Sequence, residues 1–500
     1  MTNSPYVVGL DLGTSAMKGA VVDGSGAVVA GAQAAYPTSR PAPHSAEQDP
    51  SDWVHATRQV LGELADQVNP LRWGAIGLSG MIPTLVTLDA RGRPAGPAVT
   101  WEDARAEGEA AELRSVLGGD ALYRATGQWL DGRYLLAMFL RLANEDPPRS
   151  RAIATLCSAK DYLFGELTGV LRTDPSTATG YGCYGLEAGA WLPEVLEKAA
   201  ALAPTAMPGL PPVCSSVSCL PLAAAWSQAW GLAPQLPVVL GAADSVLGAE
   251  GLGIRRHGEV AYVAGTSNVI CALSDELRFD DAHRFLVTPT TRAGQWALEM
   301  DLLTTGSALA WLARMLLGSA PVAASVALAH GVEPEDAPVF LPYLGGGEQG
   351  ALWDPTLQGA LLGLQLHHER GHLVRALLNG IVMEGRRCLA VLEEAALPRS
   401  AVHVTGTSAS WPTLGHELAD ATGRAVVMPG QSEASHSALG AALVAARALG
   451  GNEGAPPRPA RPGERLEPDP ERSTTWDRLF SRHEAALAGL RSYLGGQVGT

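Results

Sequence analysis

The stretch Gly9-Leu10-Asp11-Leu12-Gly13-Thr14-Ser15 ends a short apolar run that begins at Tyr6, and a second apolar run, Met17 to Val22, follows it. A glycine and two hydroxyl residues between two such runs predict a strand, a tight turn and a returning strand. The turn at residues 23–26 predicts a third strand after it. We therefore expect the chain to open with an antiparallel hairpin.

The same pattern recurs in the second half of the chain. Residues 259–263 predict a strand, Gly265-Thr266-Ser267 a turn, and residues 269–273 the returning strand. Helical and strand patterns alternate between the two copies. We expect two similar α/β domains, residues 1–250 and 251–500, with a cleft between them that closes to exclude water from a transfer reaction. Residues 473–494 predict a packed terminal amphipathic helix.

Composition limits the classes of partner. The 500 residues are 46% hydrophobic and 17% charged, which is typical of a globular protein with two large domains. The net charge is −15, and arginine supplies all but three of the 36 basic residues. No basic face is apparent in the sequence, which argues against nucleic acid or an anionic membrane as a partner. Six widely spaced cysteines without zinc-site spacing, and no signal-peptide or membrane-span pattern, favour a cytoplasmic location.

The first glycine-hydroxyl turn has the chemistry of a phosphate site. Gly13 allows successive backbone N–H groups to point inward, and Thr14 and Ser15 add hydroxyl donors. Asp11 is a candidate ligand of a hydrated Mg²⁺. Lys18, on the returning strand, either reaches a phosphate oxygen or is a solvated strand lysine. Such a turn is often ordinary, but its recurrence at residues 265–267 favours two hairpins that hold one triphosphate.

A candidate general base follows another apolar strand, residues 237–240. In Gly241-Ala242-Ala243-Asp244-Ser245, a carboxylate stands beside a hydroxyl just before a helix rich in small residues. Asp244 at the end of a buried strand is suited to take a proton from a substrate hydroxyl. The alternative is that Asp244 is an ordinary helix N-cap.

Further motifs suit a polyhydroxylated ligand and a nucleotide. Trp101, Asp103 and Arg105 place an aromatic ring beside a carboxylate and a guanidinium; a buried tryptophan with a surface ion pair is the alternative. Gly306 and the pair Gly406-Thr407 precede predicted helices, where phosphate or ribose can approach a helix N-terminus closely.

These motifs, in this order, resemble the FGGY family of carbohydrate kinases over almost the whole chain. The most specific stretch is residues 359–364, Gly-Ala-Leu-Leu-Gly-Leu, followed by His372-Leu373 and Ala376-Leu377-Leu378, with Asn379 where an acid or glutamine is usual. Further stretches similar to the family are Lys160-Asp161-Tyr162-Leu163, Leu167-Thr168-Gly169 and Thr173-Asp174-Pro175-Ser176-Thr177-Ala178.

The resemblance implies two actin-like ATPase (ribonuclease H-like) domains and phosphoryl transfer from ATP, with Mg²⁺, to a primary hydroxyl of a small sugar. It implies that Asp244 is the catalytic base and Asp11 the metal ligand. The implied nucleotide-binding residues are Gly13, Thr14, Ser15, Lys18, Gly265, Thr266, Ser267, Gly306, Gly406 and Thr407. The implied substrate-binding residues are Met81, Trp101, Asp103, Arg105, Asp244 and Ser245.

Departures from the family pattern bear on the substrate. Residues Met81-Ile82-Pro83-Thr84 stand where xylulose kinases have Gln-Met-His-Gly, so a sugar-contacting histidine is missing. Residues 406–409, Gly-Thr-Ser-Ala, replace a Gly-Gly-Gly-Ala loop that approaches adenosine. We predict D-xylulose as the first substrate, with another ketose, a polyol or a sugar acid such as gluconate as alternatives.

Two hypotheses from other classes compete with a sugar kinase. One is a catalytically silent sugar- or nucleotide-binding regulator, and the other is an actin- or chaperone-like ATPase without a small substrate. Retention of Asp11, Asp244 and both turns argues against the regulator, and Trp101 with its charged neighbours argues against the ATPase. A homodimer is the default expectation for a soluble enzyme.

Overall fold

The computed structural model describes residues 6–318, 321–345, 347–354, 356–406, 411, 413–428, 435–450 and 463–497. These residues pack into two compact units. The first contains Met1–Gly253, Val287–Ala297 and Ser432–Arg461, and the second contains Ile254–Leu286, Leu298–Gln431 and Pro462–Thr500. The first unit thus includes two later segments, which the sequence-based boundary near residue 250 assigns to the second domain.

The strands are β1 (Tyr6–Leu12), β2 (Ala16–Val22), β3 (Val28–Ala35), β4 (Glu47–Gln48), β5 (Trp73–Gly80), β6 (Leu85–Leu88), β7 (Ala98–Val99), β8 (Thr155–Ser158), β9 (Tyr184–Gly185), β10 (Ala190–Trp191), β11 (Cys219–Pro221), β12 (Pro237–Ala243), β13 (Val260–Ala264), β14 (Asn268–Ser274), β15 (Leu286–Pro289), β16 (Trp296–Leu302), β17 (Val339–Leu341), β18 (Ala360–Leu362), β19 (Val402–Thr405), β20 (Val426–Val427) and β21 (Arg465–Leu466).

The α-helices are α1 (Pro50–Gln67), α2 (Glu107–Leu117), α3 (Gly119–Thr126), α4 (Leu135–Glu145), α5 (Pro147–Arg151), α6 (Ala159–Thr168), α7 (Pro175–Thr179), α8 (Pro193–Leu202), α9 (Ala224–Ala229), α10 (Asp244–Gly251), α11 (Gly306–Leu317), α12 (Val322–Ala327), α13 (Arg370–Glu394), α14 (Leu414–Thr422), α15 (His436–Ala448) and α16 (Pro470–Gln497).

The main sheet of the first unit has the strand order β11-β12-β5-β1-β2-β3. Strands β1 and β2 form the predicted antiparallel hairpin, whereas β5 runs parallel to both β1 and β12. These strands are nearly continuous apolar runs because helices cover both faces of the sheet. A smaller sheet, β4-β7-β6-β8, lies in the same unit.

Helix α15 packs against the main sheet of the first unit without intervening side chains. A Cβ atom on Gly9 would lie 1.8 Å from the Ala438 carbonyl oxygen, and one on Gly77 would lie 2.1 Å from that of Ala441. Only glycine permits so close an approach of helix to strand. This packing explains why the segment that contains α15 belongs to the first unit. Helix α1 covers the opposite face with Trp53, fully buried.

The main sheet of the second unit repeats the plan of the first. Strands β13 and β14 form an antiparallel hairpin, and β19 runs parallel to β13, as β5 does to β1. The turn between β13 and β14 is Gly265-Thr266-Ser267, as the sequence predicts. Two α/β units that both open with a hairpin are therefore confirmed.

Two long helices complete the second unit. Helix α13 is 25 residues long, and its apolar face is enclosed. The predicted terminal helix is α16, which begins at Pro470 and packs through Trp476 and Leu487, each 3% exposed. Across the described part of the chain, no helix combines the length and apolar character that crossing a membrane requires.

Candidate active site

Three strand ends meet at one edge of the first unit's main sheet. Leu12 of β1 and Ala243 of β12 are both register partners of Gly80 in β5. Since the three strands are parallel, their carboxyl ends lie side by side, and ligands of open α/β sheets bind at such edges. Asp11 and Asp244 both lie at this edge. The structure therefore brings the two predicted carboxylates to the same part of the unit.

Asp11 is a buried carboxylate with hydroxyl donors on both oxygens. Ser79 Oγ donates to Oδ1 at 2.9 Å, and Ser435 Oγ donates to Oδ2 at 2.8 Å. Burial raises the pKa of Asp11 above its ordinary value, while Ser435, the positive charge of Lys18 and Ser79 oppose the rise. Lys18 is the register partner of Asp11 across the β1–β2 hairpin. Its charge therefore acts on Asp11, which a freely solvated lysine would do far less.

The Gly13–Ser15 turn is held by side chains beneath it. Tyr36 donates its hydroxyl hydrogen to the Gly13 carbonyl, and Gln48 Nε2 donates to the Thr14 carbonyl at 2.7 Å. Trp101 Nε1 donates to Thr14 Oγ1 at 3.0 Å. Ser15 is exposed, and Gly13 and Thr14 are half-buried. The turn is thus fixed in shape and open on its outer side, as a phosphate site requires.

Asp244 is the first residue of α10, directly after β12. Ala243 occupies the N-cap position, so the alternative that Asp244 is the helix N-cap is wrong. The Ser245 amide donates to Asp244 Oδ1 at 2.9 Å, and Ser437 Oγ donates to the Asp244 carbonyl at 3.0 Å. Asp244 and Ser245 are both half-buried. The carboxylate is therefore anchored at the sheet edge.

Asp103 and Arg105 form an ion pair that is largely enclosed rather than on the surface. Asp103 accepts hydrogen bonds from the Ala46 amide and from Arg105 Nε, both at 2.9 Å, and Arg105 also pairs with Glu47. Burial raises the pKa of Asp103, but the hydrogen bonds from Arg105 and Ala46 outweigh it and hold the value below the ordinary one. The alternative of a surface ion pair is therefore wrong for these residues.

Two other predicted substrate residues differ in exposure. Trp101 is half-buried, and its indole N–H reaches the Thr14 hydroxyl. Met81 is 1% exposed, and its amide donates to the Leu12 carbonyl at 2.9 Å. Its side chain packs within the core of the first unit. Trp101 is thus better placed than Met81 for direct contact with a ligand.

In the second unit, three glycine-containing segments converge at the end of β13. A Cβ on Gly306 would lie 2.2 Å from the Gly265 carbonyl oxygen, and one on Gly406 would lie 2.3 Å from that of Ala264. Gly406 also has a φ of +96°, a conformation that favours glycine. The predicted residues Gly265, Gly306 and Gly406 therefore form one cluster, whereas Thr407 lies outside the described residues.

The start of α11 is bonded directly to the turn. The Gly306 and Ser307 amides donate to the Gly265 and Thr266 carbonyls at 3.2 and 3.0 Å. Thr305 Oγ1 donates to Asn268 Oδ1 at 2.7 Å from the other side. Thr266 is exposed at the tip of the turn, and Ser267 is half-buried. These two residues, rather than the first amides of α11, are the donors that face outward.

Sequence reasoning missed several residues that support the site. Ser79 and Ser435 donate to Asp11, and Gln48 and Tyr36 hold the first turn. A serine at the end of a buried strand is a weak signal that would have favoured Ser79. No local pattern marks Ser435, because it lies 424 residues from Asp11 in the chain.

Models of one known protein family match both halves of the chain. The model of the N-terminal domain of the FGGY family of carbohydrate kinases matches residues 6–251, and the model of its C-terminal domain matches residues 260–449.

Individual relatives differ in the substrate that they are named for. The xylulose kinase of Escherichia coli K12 is 30% identical over 421 residues, which are 83% of this chain and 85% of that protein. The gluconokinase of Bacillus subtilis 168 is 27% identical over 458 residues, which are 89% of this chain and 88% of that protein. The crystal structure of xylulose kinase from Rhodospirillum rubrum is 32% identical with a TM-score of 0.87, covering 98% of this chain and all of that one. The predicted actin-like, two-domain α/β fold is confirmed.

Proposed function

Because the chain belongs to the FGGY family of carbohydrate kinases, we propose that it transfers the γ-phosphoryl group of ATP to a primary hydroxyl of a small sugar. D-xylulose, which would become D-xylulose 5-phosphate, is the first substrate to test. The observation that carries this proposal is the shared position of Asp11 and Asp244 at the carboxyl edge of β1, β5 and β12.

Asp244 serves as the general base in this proposal. Its carboxylate accepts the proton of the sugar hydroxyl while that oxygen bonds to the γ-phosphorus and the bond to the β-phosphate oxygen breaks, releasing ADP. The Ser245 amide bonds to the Asp244 carboxylate, and Ser437 bonds to the Asp244 backbone carbonyl. Both contacts support this role, because proton transfer needs a carboxylate of fixed orientation on a fixed backbone.

Phosphate contacts come from short turns in each unit. In the first unit, Gly13, Thr14, Ser15 and Lys18 bind phosphate oxygens; the exposure of Ser15 and the fixed shape of the turn support this. In the second unit, Thr266 and Ser267 supply the outward donors. Gly306 and Gly406 let their segments approach this turn closely, because a side chain at either position would meet a backbone carbonyl oxygen.

Asp11 fits the role of a magnesium ligand. Its oxygens are hard donors, each bonded to a single serine hydroxyl, so lone pairs remain for a cation. Among the described residues no cluster of three His, Cys, Asp or Glu could enclose a metal. Mg²⁺ is commonly held by one carboxylate together with water and substrate phosphates, where it neutralises charge on the transferred group.

The substrate preference rests on Trp101, Ser245 and the loop at residues 81–84. The enclosed pair of Asp103 and Arg105 holds Ala46 and Glu47 at the start of β4, and these partners leave little capacity for a direct sugar contact. A sugar acid such as gluconate is the second candidate. The similarity to a gluconokinase over 89% of the chain favours it, as does the proline where xylulose kinases carry a sugar-contacting histidine.

The test is consumption of ATP by the purified protein with Mg²⁺ against D-xylulose, other ketoses, polyols, glycerol and gluconate. Asp244→Ala is expected to lower kcat by at least ~1,000-fold while calorimetric binding of the sugar is retained. Asp420→Ala, a carboxylate in α14 of the second unit, is the matched control. Stimulation by one sugar that Asp244→Ala abolishes supports the proposal. Binding of ATP without stimulation by any sugar would instead favour the silent regulator.

A further inference from the structure

Two motifs that the proposed reaction leaves without a role meet inside the first unit. Lys160, Asp161 and Asp174 are fully buried. Lys160 Nζ lies 3.2 Å from Asp161 Oδ1 and 3.1 Å from Asp174 Oδ1. Burying three charges is costly even when they are paired, and a well-packed apolar cluster would often be as stable. The cluster therefore calls for a reason other than stability.

The cluster lies against an irregularity in β12. The pairing of β12 with β5 shifts register between Val239 and Ala242, so Leu240 and Gly241 form a bulge. Gly241 has a φ of +68°, and a Cβ there would lie 1.6 Å from the Leu78 carbonyl oxygen. Bulges turn the end of a strand and redirect the side chains that follow. The residue that follows this strand is Asp244.

Where the bulge interrupts the pairing of β12 with β5, the buried cluster supplies hydrogen-bond partners for the backbone of β12. Lys160 Nζ donates to the Leu240 carbonyl at 3.2 Å. The Ala243 amide donates to Ser176 Oγ at 2.9 Å, and Ser176 Oγ donates in turn to Asp174 Oδ2 at 2.5 Å. A continuous chain of polar contacts thus runs from Lys160 through Asp174 to Ser176. It holds the bulge on both sides, and its last contact is the residue before Asp244.

We propose that Lys160, Asp174 and Ser176 form a positioning network that fixes the bulged end of β12 and thereby the direction of the Asp244 carboxylate. The catalytic part of this inference rests on the proposed function, in which Asp244 is the base. None of the three residues needs to touch substrate. Their effect is on geometry, and displacements of about 1 Å at a reacting group can lower turnover about 100-fold.

Ser176→Ala is the informative variant. Lys160→Met would leave two buried carboxylates without their cation, so failure to fold would be a trivial outcome. Ser176→Ala introduces no charge and removes only the acceptor for the Ala243 amide and one donor to Asp174. Thr179→Val is the matched control, because Thr179 is a buried hydroxyl of the same helix α7 that donates only to the Ser176 carbonyl, at 2.7 Å.

Two readouts test the network. Hydrogen-deuterium exchange of a peptide covering residues 238–246 should accelerate at least ~10-fold in Ser176→Ala and stay unchanged in Thr179→Val, since the Ala243 amide loses its acceptor. With the best sugar, kcat should fall about 10- to 100-fold while both KM values stay within about threefold, the pattern of lost transition-state positioning. Thr179→Val should retain wild-type kcat.

The outcomes separate this inference from the proposed function. Unchanged exchange in Ser176→Ala overturns the network whatever the activity is. Faster exchange with wild-type kcat overturns its role in positioning Asp244. If the wild-type protein phosphorylates no sugar, the proposed function fails, and the exchange measurement alone then decides whether Ser176 holds the strand end.

Discussion

Ser435 Oγ donates to Asp11 Oδ2 at 2.8 Å and at the same time accepts from the Ala438 amide at 3.4 Å. One hydroxyl therefore caps the N-terminus of helix α15 and also donates a hydrogen bond to the buried carboxylate. The helix that closes the sheet of the first unit is thus tied by hydrogen bonding to the predicted metal ligand.

Replacing Ser435 should change the pH dependence of the reaction. The hydrogen bond from Ser435 lowers the pKa of Asp11, so Ser435→Ala should raise this pKa further above its ordinary value. The proposed role of Asp11 as a magnesium ligand requires an ionised carboxylate. The acidic limb of kcat/KM for MgATP should therefore move to higher pH, which a pH profile from about 5 to 9 would measure.

Ser325→Ala is the control for this profile, because the Ser325 hydroxyl is buried but donates only to Val322 in its own helix. An acidic limb at the same pH in Ser435→Ala and in wild type would contradict a role for Asp11 ionisation.

Adding a methyl group at Gly306 should weaken nucleotide binding. The new Cβ would lie 2.2 Å from the Gly265 carbonyl oxygen, so α11 must move away from the turn. We expect Gly306→Ala to raise the KM for ATP at least ~10-fold and to leave the KM for sugar within about twofold. Gly489→Ala in α16, where a Cβ meets nothing within 4 Å, should behave as wild type. Equal changes in both KM values would argue against a nucleotide site here.

Asp103→Asn should destabilise the first unit more than it alters chemistry. The substitution leaves the guanidinium of Arg105, whose side chain is 16% exposed, without its closest charge partner. Loss of one member of an enclosed pair costs about 3 kcal/mol of unfolding free energy, whereas Glu102→Gln in the exposed pair with Arg40 should cost less than about 1 kcal/mol. Urea denaturation of both variants tests this. Equal costs would contradict the structural role of Asp103.

Glu348→Gln should change how stability depends on pH. Burial, with the charge of Glu384 adding to it, raises the pKa of Glu348 from 4.5 to about 8. Between these values the folded protein keeps a proton that the unfolded chain has lost, so stability falls as pH rises, by about 1.4 kcal/mol per unit. The glutamine oxygen can still accept from the Leu303 and Gln349 amides.

The measurement is urea denaturation of wild type and variant at about pH 5.5 and pH 8. Glu348→Gln should gain stability relative to wild type at the higher pH, by up to about 3 kcal/mol. Glu63→Gln, on the exposed face of α1, should show no such difference. A constant gap between Glu348→Gln and wild type across this range would contradict the raised pKa.

Periodicity and turn residues were enough to predict both hairpins, because alternating apolar runs around Gly-Thr-Ser are local signals. The same holds for the placement of Asp244 directly after a buried strand. Residue identity alone could not separate the alternatives for Asp103 and Arg105. Whether that pair is enclosed depends on Ala46 and Glu47, more than 50 positions earlier.

The remaining features depend on contacts between distant segments. The bulged end of β12 is bonded by Lys160 and Ser176, which reach it from α6 and α7. No local pattern predicts such a bulge, and the sequence suggested that the strand ends at residue 240. Local sequence also cannot predict that α15 belongs to the first unit, because this depends on Gly9 and Gly77 lying opposite the backbone of the helix.

The packing of α15 on β1 and β5 also determines when the first unit can complete its folding during synthesis. The strands that carry Gly9 and Gly77 leave the ribosome more than 350 residues before the helix that covers this face of the sheet. Contacts of such long sequence separation form late and slowly. This face of the sheet therefore stays open to chaperones or to self-association until α15 has been translated.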